Sequence, residues 1–150
     1  MNQEQISEQV SHRLILIRTE AGYSQETMAA VLGISKKTLV QIEKERTTAS
    51  WTVVVAVISL FADSEIIQSL LGDAPLEVIR TVAHKGLDRP KGKTLGGKVW
   101  WKEIENAQGF RIQQNLISQH FRILDKEDYV WFSTFDEQEV LERFQELLKA

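Results

Sequence analysis

Ser24-Gln25-Glu26-Thr27-Met28-Ala29-Ala30-Val31-Leu32-Gly33-Ile34-Ser35-Lys36-Lys37-Thr38-Leu39-Val40-Gln41-Ile42-Glu43 decides how the first half of this chain folds. Ser24 can cap a helix, because its hydroxyl can accept from a free backbone N–H of the first turn. Met28, Ala29, Val31 and Leu32 then supply that helix with a buried face. Gly33 breaks it, and Ser35 caps the next helix. In that second helix Leu39 and Ile42 are apolar, while Lys36, Lys37, Val40, Gln41 and Lys44 face elsewhere. Two short capped helices meet at a glycine turn, with the small Ala29 at their close approach.

Outward from this pair, the pattern stays helical. Ile6, Val10, Leu14 and Ile17 recur at spacings of three and four, which marks one apolar face of a preceding helix, and Gly22 stands where that helix stops. Ser50 can cap a helix from Trp51 to Phe61, and Ser64 precedes a fifth with Ile66, Ile67, Leu70 and Leu71. Pro75 fits the first turn of a further helix through about Ala83. From Lys85 to Lys98 the chain holds Gly86, Pro90, Gly92, Gly96 and Gly97 among basic residues, which reads as a linker or exposed loop.

Beyond Lys98 the period changes. Val99 to Glu105, Phe110 to Leu116, Gln119 to Leu124 and Tyr129 to Thr134 are short runs rich in aromatic and branched residues. Polar breaks at 106–109 and 125–128 separate them, so an antiparallel meander of three or four strands is expected. Asp136 caps a final amphipathic helix carrying Val140, Leu141, Phe144, Leu147 and Leu148. One helix on a small sheet is the natural packing solution. Alternation should place one of Trp100 and Trp101 inside and the other outside.

Composition narrows the chemistry. There is no cysteine, which removes disulfides, thiolate metal sites and a cysteine nucleophile. No segment is apolar for long enough to span a bilayer, and Met1-Asn2-Gln3-Glu4 is polar rather than signal-like, so a cytoplasmic protein with no membrane partner is expected. His12, His84 and His120 are isolated, and Asp125, Glu127 and Asp128 look like a hairpin turn rather than an acid/base pair. No catalytic set, metal site or cofactor is expected. The net charge of −3 argues against a protein that simply coats nucleic acid. Residues 1–70 carry six basic against eight acidic residues, 71–98 six against three, and 99–150 six against ten. Any affinity for a polyanion must come from local clusters: Lys36, Lys37, Lys44 and Arg46, or the stretch from Lys85 to Lys98.

The stretch from Ser24 to Glu43, with Arg18, Gly22 and Leu60-Phe61 around it, resembles the Cro and phage-repressor class of helix-turn-helix domains, also called the XRE family. The resemblance covers roughly residues 10–71. It implies that the helix opened by Ser35 enters the major groove of double-stranded DNA, with Lys36, Lys37, Thr38 and Gln41 reading bases. Lysine can donate to guanine O6 and N7, and glutamine can pair with adenine N6 and N7. Gln25 would meet a phosphate at the positive end of its helix, and Lys44 and Arg46 would grip phosphate beyond the reading helix. The resemblance also implies a structural ion pair between Arg18 and Glu43. One position departs from it. Two residues after Glu43 the family usually has glycine, and here Glu45 must take a less favourable turn or lengthen the helix.

The expected fold class is α+β: a five-helix domain over 1–72, a helix and basic linker over 73–98, and a small sheet with one terminal helix over 99–150. The expected function is a sequence-specific regulator of transcription, a repressor acting as a homodimer on a DNA operator in a bacterial or phage setting. Trp100, Trp101 and Trp131 are the interface residues expected in the second domain, for a second copy, a small-molecule effector or a partner protein. Two other readings keep the same first half: an antitoxin that regulates its own operon, and an adaptor whose helix-turn-helix does not bind DNA.

Overall fold

The computed structural model describes residues 1–86 and 100–150. They fall into two compact units, one within Met1–Arg89 and one within Pro90–Ala150. Most of the expected basic linker, over 87–98, and Val99 as the expected first strand residue lie outside the described residues.

The first unit holds α1 (Gln3–Ala21), α2 (Gln25–Leu32), α3 (Lys36–Glu43), α4 (Trp51–Leu60), α5 (Glu65–Leu71) and α6 (Pro75–Ala83). Five of the starts follow from serine or asparagine chemistry, Ser64 accepting from Ile66 N and Ile67 N at the start of α5. Ser24, Ser35 and Ser50 each accept from the backbone N–H three residues on, and Asn2 forms a reciprocal capping box with Gln5. The core draws on every helix, with Ile6, Leu14, Met28, Leu39, Ile58 and Ile67 fully buried. Val31 is a correction. It is 39% exposed, because Met28, Ala29 and Leu32 already fill the inward arc of the two-turn α2. The sixth helix adds to the expected five, since Ile79 packs into this same core with Val78 and Val82 against its edge.

The second unit is a four-stranded meander, β1 (Trp101–Ala107), β2 (Phe110–Asn115), β3 (Phe121–Leu124) and β4 (Val130–Thr134), antiparallel throughout, followed by α7 (Glu137–Lys149). Asp136 caps α7 through Glu139 N at 3.2 Å. Ile112, Phe121 and Ile123 on one sheet face bury against Val140 and Phe144 of α7. Neither Trp100 nor Trp101 enters that core, contrary to simple alternation. Trp100 precedes β1 and is 49% exposed. Trp101 is half-buried against His120 and Arg122, with no place under α7.

Candidate nucleic-acid interface

The α2–turn–α3 unit is built by repeated end chemistry. Gly33 takes a left-handed φ of 74°, and Ile34 N then reaches back to Ala29 O at 3.0 Å, so the chain leaves α2 sharply and enters α3 at once. Leu39 and Ile42 bury, which leaves Lys37 and Thr38 exposed and Gln41 half-buried on the remaining surface of α3.

Arg18 and Glu43 tie three helices together. Arg18 Nε donates to Glu43 Oε1 at 2.6 Å, with side chains 20% and 3% exposed, and Arg18 Nη1 donates to Tyr23 O at 3.0 Å. Gln25 Nε2 donates to the second Glu43 oxygen at 3.3 Å. The carboxylate is thus satisfied from α1 and α2 at once, and α3 is held by its own last residue. Gln25 sits at the start of α2 as expected, with one amide hydrogen already engaged inside the protein.

The cations around α3 divide. Lys36 Nζ lies 2.5 Å from Glu26 Oε1, across the turn on α2. This hydrogen bond first, with help from the backbone and the Lys36 charge, holds the Glu26 carboxyl below the usual carboxylate range. Lys37, Lys44 and Arg46 are exposed and have no ion pair among the described residues. Two lysines in the first turn of α3 oppose the positive end of the helix dipole, and α3 has no acidic residue there to offset them. Thr38 Oγ1 lies 2.9 Å from Ser35 Oγ, so its hydroxyl belongs partly to the cap.

The turn after α3 resolves the departure at Glu45. Glu45 N donates to Ile42 O and Arg46 N to Gln41 O, both at 3.0 Å, with Glu45 at φ 59°. This is the same closing motif that Gly22 and Gly33 make after α1 and α2, built here on a residue with a Cβ. The helix is not lengthened. Glu45 Oε1 meets His12 Nδ1 of α1 at 2.8 Å, a contact no local pattern announces because the two lie 33 residues apart. Ser11, one residue earlier, accepts from Ala49 N at 2.9 Å and anchors the far end of the same loop. The loop carrying Lys44 and Arg46 is therefore pinned on α1 at both ends.

These features meet in one stretch: two capped helices, a glycine turn, a buried arginine–glutamate tie and an exposed second helix. A family model described as helix-turn-helix matches residues 14–61. Residues 14–61 are a helix-turn-helix domain of the XRE class. The match runs from the second half of α1 to the residue after α4, about a third of the chain, and residues 100–150 are outside it. No curated protein and no solved structure matches the chain. Domains of this class bind DNA in regulators of transcription.

The interface residues expected in the second unit do not form one cluster. Trp131 is 53% exposed, meets Phe110 edge-on at 5.6 Å and donates from Nε1 to Asp125 Oδ2 at 2.9 Å. Asp125 also accepts from Glu127 N and Tyr129 N, so its carboxylate organises the β3–β4 turn. The Trp131 hydrogen bond is the first cause holding that carboxyl below its ordinary range. No single helix among the described residues is long and apolar enough to cross a membrane.

Proposed function

We propose that this protein is a sequence-specific repressor that reads the major groove with α3. The observation that carries this reading is the outer surface of α3, with Lys37 exposed and Gln41 half-buried, flanked by Lys44 and Arg46, which have no ion pair among the described residues. Lys37 and Gln41 are four residues apart, so they share one helical face and reach successive base edges. Thr38 contacts a thymine methyl or a phosphate, and Gln25, Lys44 and Arg46 set the helix on the backbone. Lys36 joins the base readers once DNA competes it away from Glu26.

Two copies would place their third helices about 34 Å apart, on a two-fold symmetric operator. The sheet unit supplies the dimer contact in this reading. Its large exposed residues, Ile117 at 73%, Tyr129 at 66% and Phe135 at 77%, are the support for an interface there. The same exposure supports the antitoxin reading, in which the sheet unit meets a different protein.

Selection from random duplex DNA at two salt concentrations tests the proposal, with wild type compared against the Lys37→Ala/Gln41→Ala double variant. Wild type should enrich a two-fold symmetric site. The variant should lose base preference at two positions per half-site while keeping its salt-sensitive backbone affinity, at a cost of about 1–3 kcal/mol per lost base contact. No enriched sequence, with weak binding that vanishes in modest salt, would remove the DNA-reading function and leave a protein partner as the target.

A further inference from the structure

The sheet has two faces, and α7 closes only one. Ile112, Phe121 and Ile123 pack toward α7, so their strand neighbours Arg111, Gln113 and Arg122 lie on the other face. Arg111 stands opposite Leu124, and Gln113 opposite Arg122, which makes the two arginines diagonal neighbours. Arg122 Cζ lies 3.6 Å from the Trp101 ring centroid, and its Nε and Nη2 both donate to Gln113 Oε1, at 3.0 and 2.8 Å. Stack and fork together fix the guanidinium plane while leaving Nη1 without a partner among the described residues. Arg111 pairs through Nη2 with Asp128, and its buried Nε has no hydrogen-bond partner among the described residues.

We propose that this helix-free face is an oxyanion site, where Arg111 and Arg122 jointly take one phosphate or carboxylate group of a small ligand. Of these two adjoining cations only Arg111 has a carboxylate partner among the described residues, Asp128. Burial first, and then the charge of Arg111, pull the Arg122 pKa down from its ordinary value, as expected of two cations held close on one face. The surrounding groups also suit an anion: a planar donor pre-set by a tryptophan needs little ordering to form a bidentate contact. Asp128 is the internal stand-in. Its side chain is 71% exposed on the β3–β4 turn at φ 67°, so it can be displaced from Arg111 by a stronger acceptor. The site stands whether or not the first unit reads an operator.

The test titrates the full chain with inorganic phosphate and, separately, with malonate, at ionic strength held constant with chloride. Tryptophan emission and thermal midpoint are followed together. Saturable binding of one or both anions is expected, and the stronger arm identifies the phosphate or carboxylate source. Arg122→Gln and Arg111→Gln should each weaken binding about tenfold or more. Asp128→Asn keeps both arginines, tolerates the left-handed turn, and should tighten binding several-fold. Arg122→Lys, which keeps the charge and loses the plane, should weaken binding where the glutamine variants fail to fold. A response that follows ionic strength alone, or that is unchanged in Arg122→Lys and Asp128→Asn, overturns the site.

Discussion

The helical unit and the sheet unit bury their apolar residues on different scales. In the first, fifteen buried residues drawn from all six helices and the loop before α4 form one core. In the second, five do, from two strands and one helix, while Tyr129, Trp131 and Phe135 stay outside. A unit of about fifty residues is close to the size at which one core suffices. Each buried contact in the sheet unit therefore carries a larger share of its stability, and its outer surface has more apolar area left for a ligand or another chain. The helical unit instead gathers exposed cations at the first turn of α3 and just after it, Lys36, Lys37, Lys44 and Arg46.

The largest effect that would break this comparison is at Phe144, fully buried between α7 and the sheet. Phe144→Ala should cost about 3–5 kcal/mol, enough to unfold the sheet unit while amide signals of residues 3–83 keep their native positions. Joint loss of both sets would mean that the two units unfold as one. Arg18→Ala should cost the helical unit a similar or smaller amount, about 3–5 kcal/mol at most, because Glu43 is left charged and buried. Denaturant midpoints should show Arg18→Met/Glu43→Leu recovering most of that loss. An Arg18→Ala protein with native stability but no DNA affinity would instead make Arg18 a DNA contact.

A smaller effect sharpens the charged side of the comparison. Glu26→Gln should free Lys36, raise DNA affinity several-fold at low salt and steepen the salt dependence by about one ion. The sign with pH follows from the lowered Glu26 pKa. The stability contributed by the Glu26–Lys36 contact is present above the ordinary carboxylate value and is lost as pH falls through the lowered one. Equal salt slopes for Glu26→Gln and wild type would show that Lys36 does not reach the DNA. The smallest expected effect is at Glu45. Glu45→Gly relieves a left-handed backbone and should stabilise the helical unit by about 0.5–1 kcal/mol. A loss measured by thermal melting would mean that the His12 contact outweighs the strain.

How much is readable in advance differs between the same two units. In the helical unit the caps at Ser24, Ser35, Ser50 and Ser64, the stops at Gly22 and Gly33 and the apolar spacing are all events within one turn, and the helices begin and end where those residues stand. Val31 escapes the pattern because an eight-residue helix has too few turns for spacing to set the edge of its buried arc. In the sheet unit the four strands and the cap at Asp136 are readable from alternation and polar breaks. The position of Trp101 is not, because a β-bulge shifts the β1–β2 register between Glu103 and Glu105.

By itself, then, the sequence determined the helix-turn-helix, the α+β class, and which α3 positions bury, because caps, glycine stops and periodicity are local properties of the chain. Only the tertiary structure decided which polar side chains are already engaged. Lys36 is held by Glu26, Gln25 by Glu43, and Glu45 by His12, each partner at least ten residues away. It also decided that Arg111, Arg122 and Trp101 share a face, since strand pairing brings together residues whose separation along the chain carries no sign of their contact.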